Sequence, residues 1–140
     1  IYELGDASFQ ILAPNQDYGD DLNNWSVGIR LVYGNTAFVF TGDAEANAEA
    51  DILANGLTLR ADVLKAGHHG SRTSNSDSFL DSVQPSYAVI SCGSGNTYGH
   101  PHQETMKKPE DRNIQIYRTD TQGNIVATTD GTDITWVTEE

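Results

Sequence analysis

Asp62-Val63-Leu64-Lys65-Ala66-Gly67-His68-His69-Gly70-Ser71-Arg72-Thr73-Ser74 decides how this chain reads. Its first five residues form a short apolar strand that stops at Gly67. Two adjacent histidines follow, with glycine on both sides. The glycines permit unusual backbone angles. On an extended chain His68 and His69 point to opposite sides, so one can hold metal while the other faces substrate.

Upstream, residues 26–33 and 36–40 are rich in β-branched and aromatic side chains and flank Gly34-Asn35, the pattern of a hairpin. The second strand ends at Thr41-Gly42-Asp43. Residues 44–55 are Ala/Glu-rich, with Ile52 and Leu53 as apolar anchors, and predict a helix. Asp43 is its candidate N-cap and Gly56 its C-cap. Further out, residues 1–4 and 7–12 read as strands and 17–24 as an exposed polar loop. Downstream, residues 74–83 predict a helix, 87–92 a strand and 93–100 a Gly/Asn-rich loop. Residues 101–108 predict a helix with Pro101 near its first turn and Pro109 cutting it short. Residues 114–118, 124–128 and 133–137 predict three closing strands. Strands, then strand–helix alternation, then a meander give an α/β (α+β) class with a mixed sheet and flanking helices.

The chemistry gathers at strand ends. Asp43 follows Phe38-Val39-Phe40, the histidine pair follows Val63-Leu64, and His100 lies in the loop after Val89-Ile90. Such ends converge on one sheet edge, where α/β sites are built. Clustered imidazoles with a carboxylate are ligand chemistry for Zn, Mn or Fe. Asp43 can cap a helix, bridge two ions, or do both. His100 can bind phosphate, protonate a leaving group or ligate metal. His102 suits a substrate contact or a capping role at a helix start. Arg72, one of eight basic residues, can clamp an anion. Ser71 belongs to the same substrate-facing loop and not to a nucleophilic triad.

Composition limits the function. The 140 residues make one domain or half-domain, 1–140. A net charge of −12 and a pI near 4.4 argue against a generic nucleic-acid binder, although bound metal would add positive charge that this count omits. Cys92 is the single cysteine, so no disulfide framework or cysteine-type zinc site exists, and its strand context predicts a packed core thiol. No apolar run is long enough to span a bilayer. The chain opens directly in a strand, which suggests a piece of something longer.

Together, Phe38 to Glu45, Ala61 to Ser74, Tyr87 to Ser91, Tyr98-Gly99-His100-Pro101-His102-Gln103-Glu104 and Ile116 to Asp120 resemble the metallo-β-lactamase superfamily in its ComEC-like branch. That resemblance implies an αββα sandwich with two divalent ions, Zn or Mn, at one sheet edge. Asp43 would match the bridging aspartate and His69 a ligand of one metal. His68 and His100 would take catalytic positions, with Ser71, Arg72 and His102 near substrate. It further implies a phosphoester substrate, possibly DNA, and a bacterial, extracytoplasmic setting in a secreted or membrane-anchored parent. The superfamily's His-x-(His/Asp)-x-Asp-His motif has no match here. The chain therefore resembles the C-terminal half of the domain. Alone it should bind metal weakly, show little activity, and need the N-terminal half. The alternative is a non-catalytic half-domain that folds and binds only with a partner segment or as a homodimer.

Overall fold

The computed structural model describes residues 1–139. Seven strands lie side by side in chain order: β1 (Tyr2–Leu4), β2 (Ala7–Ala13), β3 (Gly28–Tyr33), β4 (Thr36–Phe40), β5 (Val63–Lys65), β6 (Tyr87–Ile90) and β7 (Gln115–Arg118). Pairing is antiparallel from β1 to β4 and parallel from β4 to β7. The parallel pairs need crossovers, supplied by α1 (Ala46–Ala54), α2 (Asp77–Val83) and α3 (Gln103–Asp111). A short α4 (Thr119–Gln122) leads to a separate hairpin, β8 (Ile125–Thr129) and β9 (Ile134–Thr138). This mixed α/β architecture is that expected from the sequence.

Period-two alternation assigns the strand residues to two faces. On one, Ala37, Val39 and Leu64 join Leu12, Ile52, Phe79, Leu80 and Val83 in a core with α1 and α2. On the other, the register aligns Phe9, Leu31, Phe38, Val63 and Tyr87 in one row, and Ile11, Ile29, Phe40, Lys65, Val89 and Tyr117 in the next. The β8–β9 hairpin covers only part of this second face. Trp136 stacks on Tyr117 with ring centres 4.2 Å apart, and Asn35 N–H donates to Gly131 C=O. Between hairpin and sheet lies a cavity of about 360 Å³, lined by Leu31, Phe38, Phe40, Val63, Lys65 and Val89.

Several local expectations change. Helix α1 starts at Ala46 with Glu45 at the N-cap, so Asp43 is not its cap. Thr41 to Ala44 instead form a turn closed by Ala44 N–H on Thr41 C=O. His68 and His69 are not extended: both are left-handed, at φ 49° and 55°. Residues 17–24 are not uniformly exposed, because Leu22–Trp25 forms a 3₁₀ turn that buries Asn24. Pro109 does not end its helix, and α3 runs on to Asp111. Proline removes only the bond to the Thr105 carbonyl, and its buried ring packs near Leu64, Leu80, Ala88 and Ile90. Cys92 lies beyond the end of β6, half-buried, and is not a core thiol.

Candidate functional site

Because β4, β5, β6 and β7 run parallel, their C-terminal ends share one edge. Asp43, the histidine pair, the loop to His100 and Asp120 all leave from it. His68 N–H donates to Gly42 C=O and fastens the β5 loop to the β4 loop. Gly42, at φ 58°, passes so close to Ser26 that a Cβ would lie 3.0 Å from its side chain. Asp43 N–H in turn donates to Ser26 Oγ. On the other side, Gly67 and Asn75 exchange two hydrogen bonds, N–H to Oδ1 and Nδ2 to C=O. These ties hold two consecutive histidines in a conformation that L-residues rarely adopt.

His69 carries the clearest chemistry. Its Nδ1 lies 2.7 Å from Ser91 C=O. A carbonyl only accepts, so Nδ1 bears a proton and the ring turns Nε2 outward. That nitrogen faces Asp43 Oδ1 at 3.5 Å. Either a proton on Nε2 or a metal ion between the two groups satisfies both. Donors about 2.1 Å from a tetrahedral metal are separated by about 3.4 Å, so the pair fits a divalent ion as part of its ligand set. Among the described residues, no three His, Cys, Asp or Glu side chains group as a metal site. This chain thus offers two donors where a complete site needs more.

His68 turns toward Glu45, with Nδ1 3.4 Å from Oε1. Asn23 and Thr73 also donate to that carboxylate oxygen. His100 lies among the other imidazoles, its ring centre 5.7 Å from that of His68, 6.1 Å from His69 and 4.8 Å from His102. Burial, then the neighbouring histidines, hold His100 below the usual imidazole range, so it is neutral at pH 7. Both nitrogens of His102 are engaged within the chain: Nδ1 accepts from Arg72 N–H, and Nε2 lies 3.1 Å from Tyr98 C=O, to which it donates. The ring has no nitrogen left for substrate. Ser71 is buried, and its Oγ pairs with Thr73 Oγ1 and accepts Thr73 N–H. The Arg72 side chain is exposed beside the cluster. At the far end of the edge, the Arg118 guanidinium holds the Asp120 carboxyl below its usual range. Burial, with Asp120 adding to it, pushes the Cys92 thiol up, which disfavours a thiolate role.

Sequence reading brought Asp43, His68, His69 and His100 to one place. It assigned no role to Glu45, Ser26, Asn75 or Asn96. Their side-chain partners lie up to 28 residues away or depend on loop geometry, and only Glu45, at the end of the Thr41–Glu45 turn, carried a visible signal.

Comparison with known proteins gives the family. Residues 19–94 match the family model of the metallo-beta-lactamase superfamily, and the chain belongs to that superfamily. Its relatives place it in the ComEC-like branch. ComE operon protein 3 of Bacillus subtilis is 34% identical over 89% of this chain and 16% of that protein. Competence protein ComA of Neisseria gonorrhoeae is 38% identical over 82% of this chain and 17% of its own length. Recombination protein 2 of Haemophilus influenzae is 41% identical over 71% and 12%. The chain therefore spans less than a fifth of each of these relatives.

Proposed function

We propose that this chain is the C-terminal half of a metal-dependent phosphodiesterase domain, acting on DNA or a related phosphoester. The observation that supports it most is the His69–Asp43 pair, whose imidazole is oriented by Ser91 C=O so that Nε2 faces Asp43 Oδ1 at 3.5 Å, the spacing of two ligands on one ion. In this reading Asp43 and His69 hold metal. His100, kept neutral by its surroundings, contacts the leaving group. His68, propped by Glu45, faces the phosphoryl oxygens. Arg72 meets the anion from the rim, while Ser71 and His102 hold the loops in place. Bound Zn or Mn ions would polarise the phosphoryl oxygen and make water a nucleophile at neutral pH. The remaining ligands come from a complementary half-domain seated on the apolar second face of the sheet.

Two observations favour a second reading, in which the isolated chain is a non-catalytic half that needs a partner segment or a second copy. They are the two-donor limit and the open apolar face. No helix among the described residues is long and apolar enough to cross a membrane. An extracytoplasmic bacterial setting, within a longer anchored protein, belongs to the same proposal and is supported by relatives that are competence and recombination proteins of bacteria.

The deciding experiment measures metal content and Zn or Mn affinity by elemental analysis and calorimetry. It compares this chain alone, the complete domain, and the complete domain carrying Asp43→Ala with His69→Ala. Weak binding by the chain, stoichiometric binding by the domain and loss in the double variant are expected. Undiminished stoichiometry in the double variant would remove Asp43 and His69 from the site.

A further inference from the structure

Beside the imidazole cluster is a cavity of about 200 Å³, lined by His69, Cys92, Gly93, Asn96, Tyr98 and His100. Three of its walls are rings in near-parallel planes. His69 and His100 are inclined by 18° at 6.1 Å, and His100 and Tyr98 by 18° at 5.5 Å. The series ends on Tyr98, whose side chain is 76% exposed.

That exposure is not the mark of a loose loop. Asn96 donates to the carbonyls of Gly93 and His100 and accepts His100 N–H, while His102 Nε2 bonds to Tyr98 C=O. The backbone presenting the ring is therefore fixed before any ligand arrives, which lowers the ordering cost of binding. A bare phosphate would leave this cavity and ring unused. Resting on the hydrolase reading above, we propose that the cavity is a base-stacking subsite, with Tyr98 as the platform for a nucleobase next to the phosphodiester held at His69.

Charge favours the same solution. With 20 acidic and 8 basic residues, this chain cannot draw much affinity from phosphate neutralisation. Stacking needs no net charge and tolerates any base, because every base has a π-face. Arg72, exposed on the loop that His102 ties to Tyr98, is placed to meet one phosphate of the same strand.

The test uses the full-length protein in buffer containing Zn or Mn, with strands carrying non-cleavable linkages, so that no strand is cut. Affinities for a short single-stranded thymidine oligonucleotide and for an abasic strand of equal length are read by fluorescence anisotropy. Wild type should prefer the thymidine strand. Tyr98→Ala should weaken that binding roughly ten- to hundredfold and leave the abasic strand unchanged, with Tyr98→Phe within about twofold of wild type. Equal wild-type affinity for the two strands, equal losses on both in Tyr98→Ala, or no binding of either overturns the proposal. Cleavage assays on the same strands with ordinary phosphodiester linkages separate the two ideas. Cleavage of both strands without base preference keeps the hydrolase reading and removes the subsite. A base-dependent affinity without cleavage of either strand removes the hydrolase reading and leaves the subsite standing.

Discussion

The residue with the widest influence on the site touches no candidate ligand. Glu49 is fully buried in α1, and its carboxylate accepts the N–H groups of Asn75 and Ser76. These donors lie at the start of α2, where unpaired N–H groups favour negative charge. Asn75 then holds Gly67, and Gly67 precedes the histidine pair. Removing the carboxylate strands a buried donor on Asn75 and a partly buried one on Ser76. Glu49→Ala should therefore cost about 2–3 kcal/mol in denaturant unfolding, while Glu49→Gln, which keeps one acceptor, should cost less. Equal stability of Glu49→Ala and wild type would show that the buried carboxylate contributes nothing.

At the scale of elements, the site depends on how closely the β5 and β6 loops approach. Gly70 has φ +78°, and a Cβ there would lie 2.7 Å from Pro101 Cβ. Gly56 has φ +65° with nothing within 4 Å of its would-be Cβ. Both positions penalise alanine by about 1–2 kcal/mol for the left-handed backbone, but only Gly70→Ala must also push the Pro101 loop away. Both variants should lose thermal stability, and only Gly70→Ala should shift the His100 ring resonances in NMR. Matching spectra for the two would mean that the loop contact does not position His100.

For the molecule as a whole, the half-covered sheet face dominates. Its rows of Phe, Ile, Leu and Val surround Lys65, whose ammonium is pushed down from its usual range by burial. Phe40 is 36% and Ile11 40% exposed on this face. An apolar sheet face in water drives association, opposed here by a charge of −12 on each copy. Salt screens that repulsion. Sedimentation of the isolated chain should therefore show concentration-dependent association that strengthens with salt. Phe40→Glu should move it toward monomer. A wild type that stays monomeric at every concentration and salt level would count against the open face.

The local pattern was enough to define the strands, the three crossover helices and the mixed α/β class, because period-two alternation and turn residues act within a few positions, while the short α4 went unpredicted. Gly67-His68-His69-Gly70 and Thr41-Gly42-Asp43 were legible as chemistry for the same reason: each stands where an apolar run stops. Expectations failed where distant contacts overrode local preference. Asp43 left the helix cap because the Thr41–Ala44 turn places Glu45 there, His68 and His69 became left-handed under ties from Gly42 and Asn75, and Pro109 stayed in its helix because its ring is buried. Only the tertiary structure could set His69 Nε2 against Asp43, since that distance depends on parallel strands and a carbonyl 22 residues away. It alone could show an apolar face left open, because burial is a property of neighbours and not of the residues that wait for them.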